Sequence, residues 1–206
     1  MNLRCLCREY YSLVDHRCAY VNKLKAQLRI VFPGFCKVFS DITGVTSIAV
    51  LKNFPTPEDI LNAQPSEMID LIALSSRKGL KYAKDKYEKL TTAAKNALNF
   101  RYNLSTVYDV LEMHIHFVEE FDKKINLILA KIKEFVDKNK AEVFVQQIEY
   151  LDSINGVGFL SAVTLMCEIG DFKVFSRPKQ LFAYFGVDPS VNESGKFKGT
   201  ENKMSK

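Results

Sequence analysis

Between Leu104 and Phe135 the chain repeats a stripe of side chains at alternating steps of three and four residues: Leu104, Val107, Leu111, His114, Val118, Phe121, Ile125, Ile128, Ile132 and Phe135. An α-helix turns once in about 3.6 residues, so this spacing lays the stripe along one helix face; a strand would scatter it over both. A stripe sustained for more than four heptads must be covered by a second helix, from this chain or from another copy. Val110, Phe117, Leu129 and Val136 are expected to widen it on one flank. The stretch Leu80–Phe100, with a turn near Arg101–Asn103, is a candidate partner in a hairpin; an intermolecular coiled coil is the alternative. His114 lies on the stripe and His116 does not, so one face cannot present both to a metal. His114 reads as a packed or register-setting polar residue.

The same reading places other helices. From Leu3 to Phe32, the positions Leu6, Tyr10, Leu13, Val14, Arg17, Tyr20, Val21, Leu24 and Leu28 share a face, and "FPGF" at Phe32–Phe35 ends the run. A short helix is expected near Asp41–Leu51. Another begins after Pro57 with Thr56 as its cap, and a third is capped by Ser66 with Pro65 outside it. After Leu151, "LDSINGVGFLSAVTLMCEIG" reads as the end of one helix, a Gly-Val-Gly turn and an apolar helix over Phe159–Ile169. Ser176 is then expected to cap "RPKQLFAYFG", in which Leu181, Phe182, Tyr184 and Phe185 are expected to supply core and which Gly186 stops, before a lysine-rich loop that admits short strands around Phe197. The fold class is therefore mainly α: long helices forming a coiled-coil or helical-hairpin stalk, then a small domain containing a helix-hairpin-helix.

Charge and composition narrow the function. A hydrophobic content of 47% and a charged content of 26% are those of a globular chain. No apolar run approaches the roughly 18 residues of a membrane span, and Arg4, Arg8 and Glu9 interrupt any signal-peptide core, so no membrane partner and a cytoplasmic location are expected. Cys5, Cys7, Cys18, Cys36 and Cys167 show no CxxC or paired-histidine spacing; they read as reduced thiols, and no metal site is assigned. Residues 1–53 carry eight Lys and Arg against three Asp and Glu, and residues 171–206 seven against four. Basic ends around a more acidic centre fit contact with a polyanion at two places, although a solvated lysine surface is the commoner cause of such small excesses.

Helix, glycine turn and helix is the arrangement by which a helix-hairpin-helix module meets a phosphate. Gly156, Val157 and Gly158 are the candidate contacts: glycine lets the backbone come close, and the next helix starts with free N–H groups at its positive end. A plain tight turn has the same sequence. Ser194, within "NESGK", reads from spacing alone as either a polar turn residue or a nucleophile.

The dense pattern over Leu151–Lys206, with its Gly-Val-Gly turn, "GDF..F..P.QL.AYFG" helix and "P...ESGK" loop, resembles the C-terminal domain of the bridge-RNA-guided insertion-sequence transposases. In that family a RuvC-like acidic domain is joined to a serine-bearing domain. "LRCLCREYYSLVDHRCAYVNKLKAQLRIVFPGF" resembles the family's segment just after the acidic domain, and the helical middle resembles the family's coiled coil. The resemblance implies three parts: residues 1–53 as a helical remnant after the acidic domain, 54–148 as the coiled-coil region, and 149–206 as a truncated transposase domain.

It further implies that Ser194 attacks a DNA phosphodiester and becomes transiently linked to it. Lys196 and Lys198 would then steady developing charge, and Gly195 would let the backbone approach the scissile phosphate. No cofactor is implied in this chain itself; magnesium belongs to the family's acidic residues, which precede the segment resembled here. DNA, a structured guide RNA and a second copy are the implied partners. The chain is expected to be a fragment unable to cleave DNA alone. The alternatives are a non-catalytic helix-hairpin-helix binder of DNA or RNA, and a structural coiled-coil dimer.

Overall fold

The computed structural model describes residues 3–98 and 105–187, with only the backbone at 105 and 106, and the backbone of Glu193–Ser194 and Phe197–Lys198. It is mainly α: α1 (Leu3–Val31), α2 (Phe35–Val38), α3 (Val45–Asn53), α4 (Pro57–Asn62), α5 (Pro65–Ser76), α6 (Gly79–Ala97), α7 (Ser105–Lys138), α8 (Val143–Asp152), α9 (Phe159–Ile169), a 3-10 turn (Phe172–Val174) and α10 (Pro178–Tyr184). Two two-residue strands, β1 (Glu193–Ser194) and β2 (Phe197–Lys198), pair antiparallel. The elements form two compact units, one of residues 8–134 and one of residues 1–7 with 135–206.

In the unit of residues 8–134, the α1 stripe delivers Leu24, Leu28 and Val31 to a core that continues through Phe32, Phe35 and Phe39, whose rings lie 5.2 and 5.4 Å apart in succession. Between the first two rings, Gly34 turns the chain at φ 99°, and its missing Cβ would meet the Ala93 Cβ of α6 at 3.4 Å. Glycine is needed there for the left-handed backbone; against α6 a Cβ would make only an ordinary contact. The core is completed by Ile48, Val50 and Leu51 of α3, Ile60 of α4, Met68 and Ile72 of α5, and Ala83, Leu90, Ala93, Ala94 and Ala97 of α6.

The α4 cap forms as the sequence indicates. The Asp59 N–H donates to Thr56 Oγ1 at 3.0 Å, and the Thr56 N–H donates to Asp59 Oδ2 at 3.0 Å, satisfying two helix-end donors reciprocally. Ser66, in contrast, is inside α5: Gln64 is the N-cap and Pro65 the first helical residue. Proline suits that position because its fixed φ is helical and its missing N–H would have had no partner there.

Along α7, Leu111, Val118, Ile125 and Ile132 are buried at seven-residue steps, with His114 between the first two. Leu104 and the turn near Arg101–Asn103 lie outside the described residues. The flank differs from the expectation in its first half, where Val110 and Phe117 are partly exposed and Ile115 is buried; the shared core lies on the Leu111–Ile115 side. α6, the expected partner, shares that core, but α1 also covers the stripe: the Tyr20 ring lies 5.8 Å from His114, 4.8 Å from Phe117 and 5.5 Å from Phe121. Arg17, the one charged residue in the α1 stripe, donates from Nη2 to Asp122 Oδ2 at 3.1 Å. Its place in an apolar pattern is explained by that carboxylate.

His114 is packed as expected. Its Nδ1 has no hydrogen-bond partner, and burial, with Lys23 nearby, holds its pKa below the usual histidine value.

In the second unit, Val145 and Ile148 of α8 and Ala162, Val163, Met166 and Cys167 of α9 are buried, together with Leu3 and Cys7 from the first turns of α1. Cys5 is exposed, the opposite side of the helix from Cys7. The Arg4 Nε donates to the Cys167 carbonyl at 2.7 Å and holds α1 against the end of α9. A hydrogen bond between the thiols lowers Cys7 to about 7 and raises Cys167. The two sulfurs thus share one proton environment inside the core.

Candidate nucleic-acid interface

The α8–α9 hairpin is built by its turn. The Ser153 N–H continues α8 onto the Glu149 carbonyl at 3.1 Å, and the Val157 N–H closes the turn on the Ile154 carbonyl at 3.0 Å. Gly156 sits at φ 95°, the left-handed region in which a Cβ is strained. Gly158 is the N-cap of α9 at φ −89°, ψ 160°, an ordinary extended conformation. A Cβ on either glycine would meet no atom within 4 Å. Gly158 is therefore required neither by backbone strain nor by a neighbour, and its bare backbone faces open space.

No side chain caps α9, so its leading N–H groups are presented without a side-chain acceptor. That geometry suits an anion. Charge does not add to it: from Val143 to Gly170 the sequence holds Glu149, Asp152 and Glu168 and no Lys or Arg. Gly156 and Gly158 are exposed and Val157 is half-buried.

Past α9, Gly170 turns the chain at φ 77°, and the Asp171 carboxylate accepts the Lys173 N–H at 2.9 Å. Ser176 does not cap the next helix: Arg177 is the N-cap and Pro178 the first helical residue. The Ser176 N–H and hydroxyl instead donate to Gln180 Oε1, at 2.9 and 3.1 Å. Proline again sets the helix start, and Gln180 supplies the acceptor. The Tyr184 hydroxyl donates to the Glu168 carbonyl at 3.0 Å and ties α10 back to α9. Phe182, Tyr184 and Phe185, expected in the core, are instead exposed, and Leu181 is only half-buried, because nothing among the described residues packs over α10; the segment displays a surface of aromatic rings and cations. The signal for it was present in the sequence: Lys173, Arg177 and Lys179 with no acidic residue from 172 to 187.

Ser194 lies in β1, its backbone paired with Phe197, while Glu193 pairs with Lys198. The strand expected near Phe197 is thus found. Gly195 and Lys196 lie outside the described residues, as do the side chains of Ser194 and Lys198. Among the described residues no three His, Cys, Asp or Glu side chains converge as a metal site, so they offer no ligand set for a divalent cation. Asp15 is exposed on α1. No described helix is long and apolar enough to cross a membrane.

Residues 148–206 match a family model described as the transposase IS116/IS110/IS902 family. The matched segment contains most of the α8–α9 hairpin, the 3-10 turn, α10 and the β1–β2 pair. The match is confined to this C-terminal segment, less than a third of the 206 residues, and is a similarity of that segment to an insertion-sequence transposase domain. No curated protein and no solved structure matches the chain significantly.

Proposed function

We propose that the chain is part of an insertion-sequence transposase whose nucleophile is Ser194. The observation that carries this is the family match over residues 148–206, which takes in Ser194 together with the glycine turn ahead of α9. The Ser194 hydroxyl attacks a DNA phosphodiester; a serine–phosphorus bond forms and one deoxyribose hydroxyl leaves. The covalent link conserves the phosphodiester, so a second hydroxyl can displace serine and complete strand transfer. A serine hydroxyl is a weak nucleophile near neutral pH, so a proton acceptor is needed; Lys196 and Lys198 neutralise the negative charge developing on the phosphoryl oxygens. Gly156–Gly158 and the start of α9 hold a phosphate through backbone N–H groups, and Gly195 admits the scissile one.

The finer parts of the reading, guidance by a structured RNA and action as a homo-oligomer, rest on the sequence resemblance. A second reading, resting on the sequence resemblance, is that this chain alone binds DNA without cutting it. Incubation of the chain with cognate DNA, guide RNA and magnesium is expected to give binding without covalent adducts; an adduct would refute the inactivity. In an intact parent transposase, Ser194→Ala is expected to abolish strand transfer while leaving DNA affinity within a few-fold. Surviving transfer would remove Ser194 as nucleophile.

A further inference from the structure

No residue of the 3-10 turn or of α10 is buried. On a seven-residue helix and the residues beside it, Phe182 is 57% exposed, Tyr184 55% and Phe185 40%. The rings are ordered against one another: Tyr184 meets Phe175 edge-on at 5.4 Å and Phe185 edge-on at 5.4 Å. Its hydroxyl bond to Glu168 fixes the cluster on α9. So many large rings left in water on so short a segment mark a surface that a partner covers.

Charge selects the kind of partner. Lys173, Arg177 and Lys179 are exposed within the same 172–187 stretch, which has no acidic residue. A purely apolar protein surface would leave three cations without a counterpart. Duplex DNA would satisfy the cations but keeps its base faces inside the stack. A single strand offers both phosphates for the cations and free base faces for the rings.

We propose that the surface of residues 172–187 is a stacking platform for unpaired bases of single-stranded DNA. Phe182 and Phe185 take the base faces, and Lys173, Arg177 and Lys179 track the phosphates. The inference rests on the transposase reading, since strand exchange exposes unpaired nucleotides, and it assigns a surface separate in sequence from both the glycine turn and Ser194.

The test is fluorescence anisotropy on the full chain. Its probes are a labelled oligothymidine of about twelve nucleotides, a duplex of the same length and an oligouridine, lengths within reach of one such groove. The single strand is expected to bind more tightly than the duplex. Phe182→Ala is expected to weaken oligothymidine binding roughly tenfold, while duplex affinity stays within about twofold, because one base–aromatic stack is lost. Phe182→Trp restores it. Lys173→Ala and Lys179→Ala each weaken both DNAs and flatten the salt dependence. Phe182 is largely exposed, so its truncation leaves the fold intact, checked by circular dichroism.

The platform is overturned if Phe182→Ala binds oligothymidine as the wild type does, or if oligouridine is preferred over oligothymidine. It is also overturned if sedimentation shows Phe182→Ala disrupting a dimer without changing DNA affinity, which would make a second copy the occupant. Duplex binding without a Phe182 effect on the single strand sinks the platform alone; loss of all DNA binding in the wild type sinks the transposase reading with it.

Discussion

Gly156→Ala and Gly158→Ala separate what the α8–α9 turn needs for folding from what it needs for binding. Gly156 is at φ 95°, where a Cβ costs roughly 1–2 kcal/mol through its clash with the backbone. Gly158, at φ −89° and ψ 160°, is in a region open to any residue. Neither new Cβ meets an atom within 4 Å, so no packing term enters. At Gly158, alanine reduces the freedom of the unfolded chain, which stabilises by about 0.4–1 kcal/mol. Alanine is also a poorer N-cap than glycine, which offsets most of that gain. Gly156→Ala should therefore destabilise by about 1–2 kcal/mol in urea titrations monitored by circular dichroism, and Gly158→Ala by about zero. Binding reverses the order of interest. A backbone N–H to phosphate is a hydrogen bond to a charged group, worth about 1.5–3 kcal/mol, so obstructing it at Gly158 lowers duplex affinity roughly ten- to hundredfold. No Lys or Arg between Val143 and Gly170 can take over. A folded Gly158→Ala protein with wild-type duplex affinity would refute the phosphate contact and leave a tight turn; an unfolded one would refute the backbone argument.

Thr56→Ala removes one half of a reciprocal cap and should cost about 1 kcal/mol in the same urea titration, with Thr56→Ser restoring most of it; no change would mean that α4 is held by packing alone. His114 gives a pH dependence whose sign is set by its lowered pKa. Below the ordinary value of 6.5 the unfolded chain takes up the proton before the folded one does, so stability falls as pH drops through and below 6.5 and is fully present above it. The urea midpoint compared above and below that pH should show this slope, and His114→Gln should reduce it; an identical slope in the variant would assign the effect elsewhere.

The helices were legible because their stripes are long. Leu111, Val118, Ile125 and Ile132 are buried at the spacing the sequence shows, and α9 spans Phe159–Ile169 as read. The flank of α7 was not legible, since Ile115 and Phe117 are equally apolar and only the position of the core decides which is covered. Helix starts failed twice for one reason: Ser66 and Ser176 are good caps in isolation, but Pro65 starts its helix two residues before a Ser66 cap would, and Pro178 starts its helix one residue after a Ser176 cap would. Arg17 shows the converse, a charge inside an apolar pattern that only Asp122, 105 residues further along, makes sensible. The glycine turn was legible as a turn, whereas the distinction between its two glycines required their φ angles and their empty surroundings.

That distinction also divides the C-terminal unit's surface by chemistry. The α8–α9 hairpin carries three acids and no cation, so any phosphate it holds is held by oriented N–H groups at short range. Residues 172–187 carry three cations, which act on a strand at longer range, and a row of exposed rings, which would stack on its bases in contact, with no acid among them; neither depends on the strand's sequence. A nucleic acid drawn in by the second surface meets the first only if its backbone passes close to a bare glycine. On the proposed reading, long-range capture and short-range positioning fall to different segments, tied to one another by the Tyr184 hydroxyl on the Glu168 carbonyl. Tyr184→Phe, which removes that tie, should lower duplex affinity while leaving the salt dependence set by Lys173, Arg177 and Lys179 unchanged, because those cations do not depend on where the α9 amides point; an unchanged duplex affinity would refute the link.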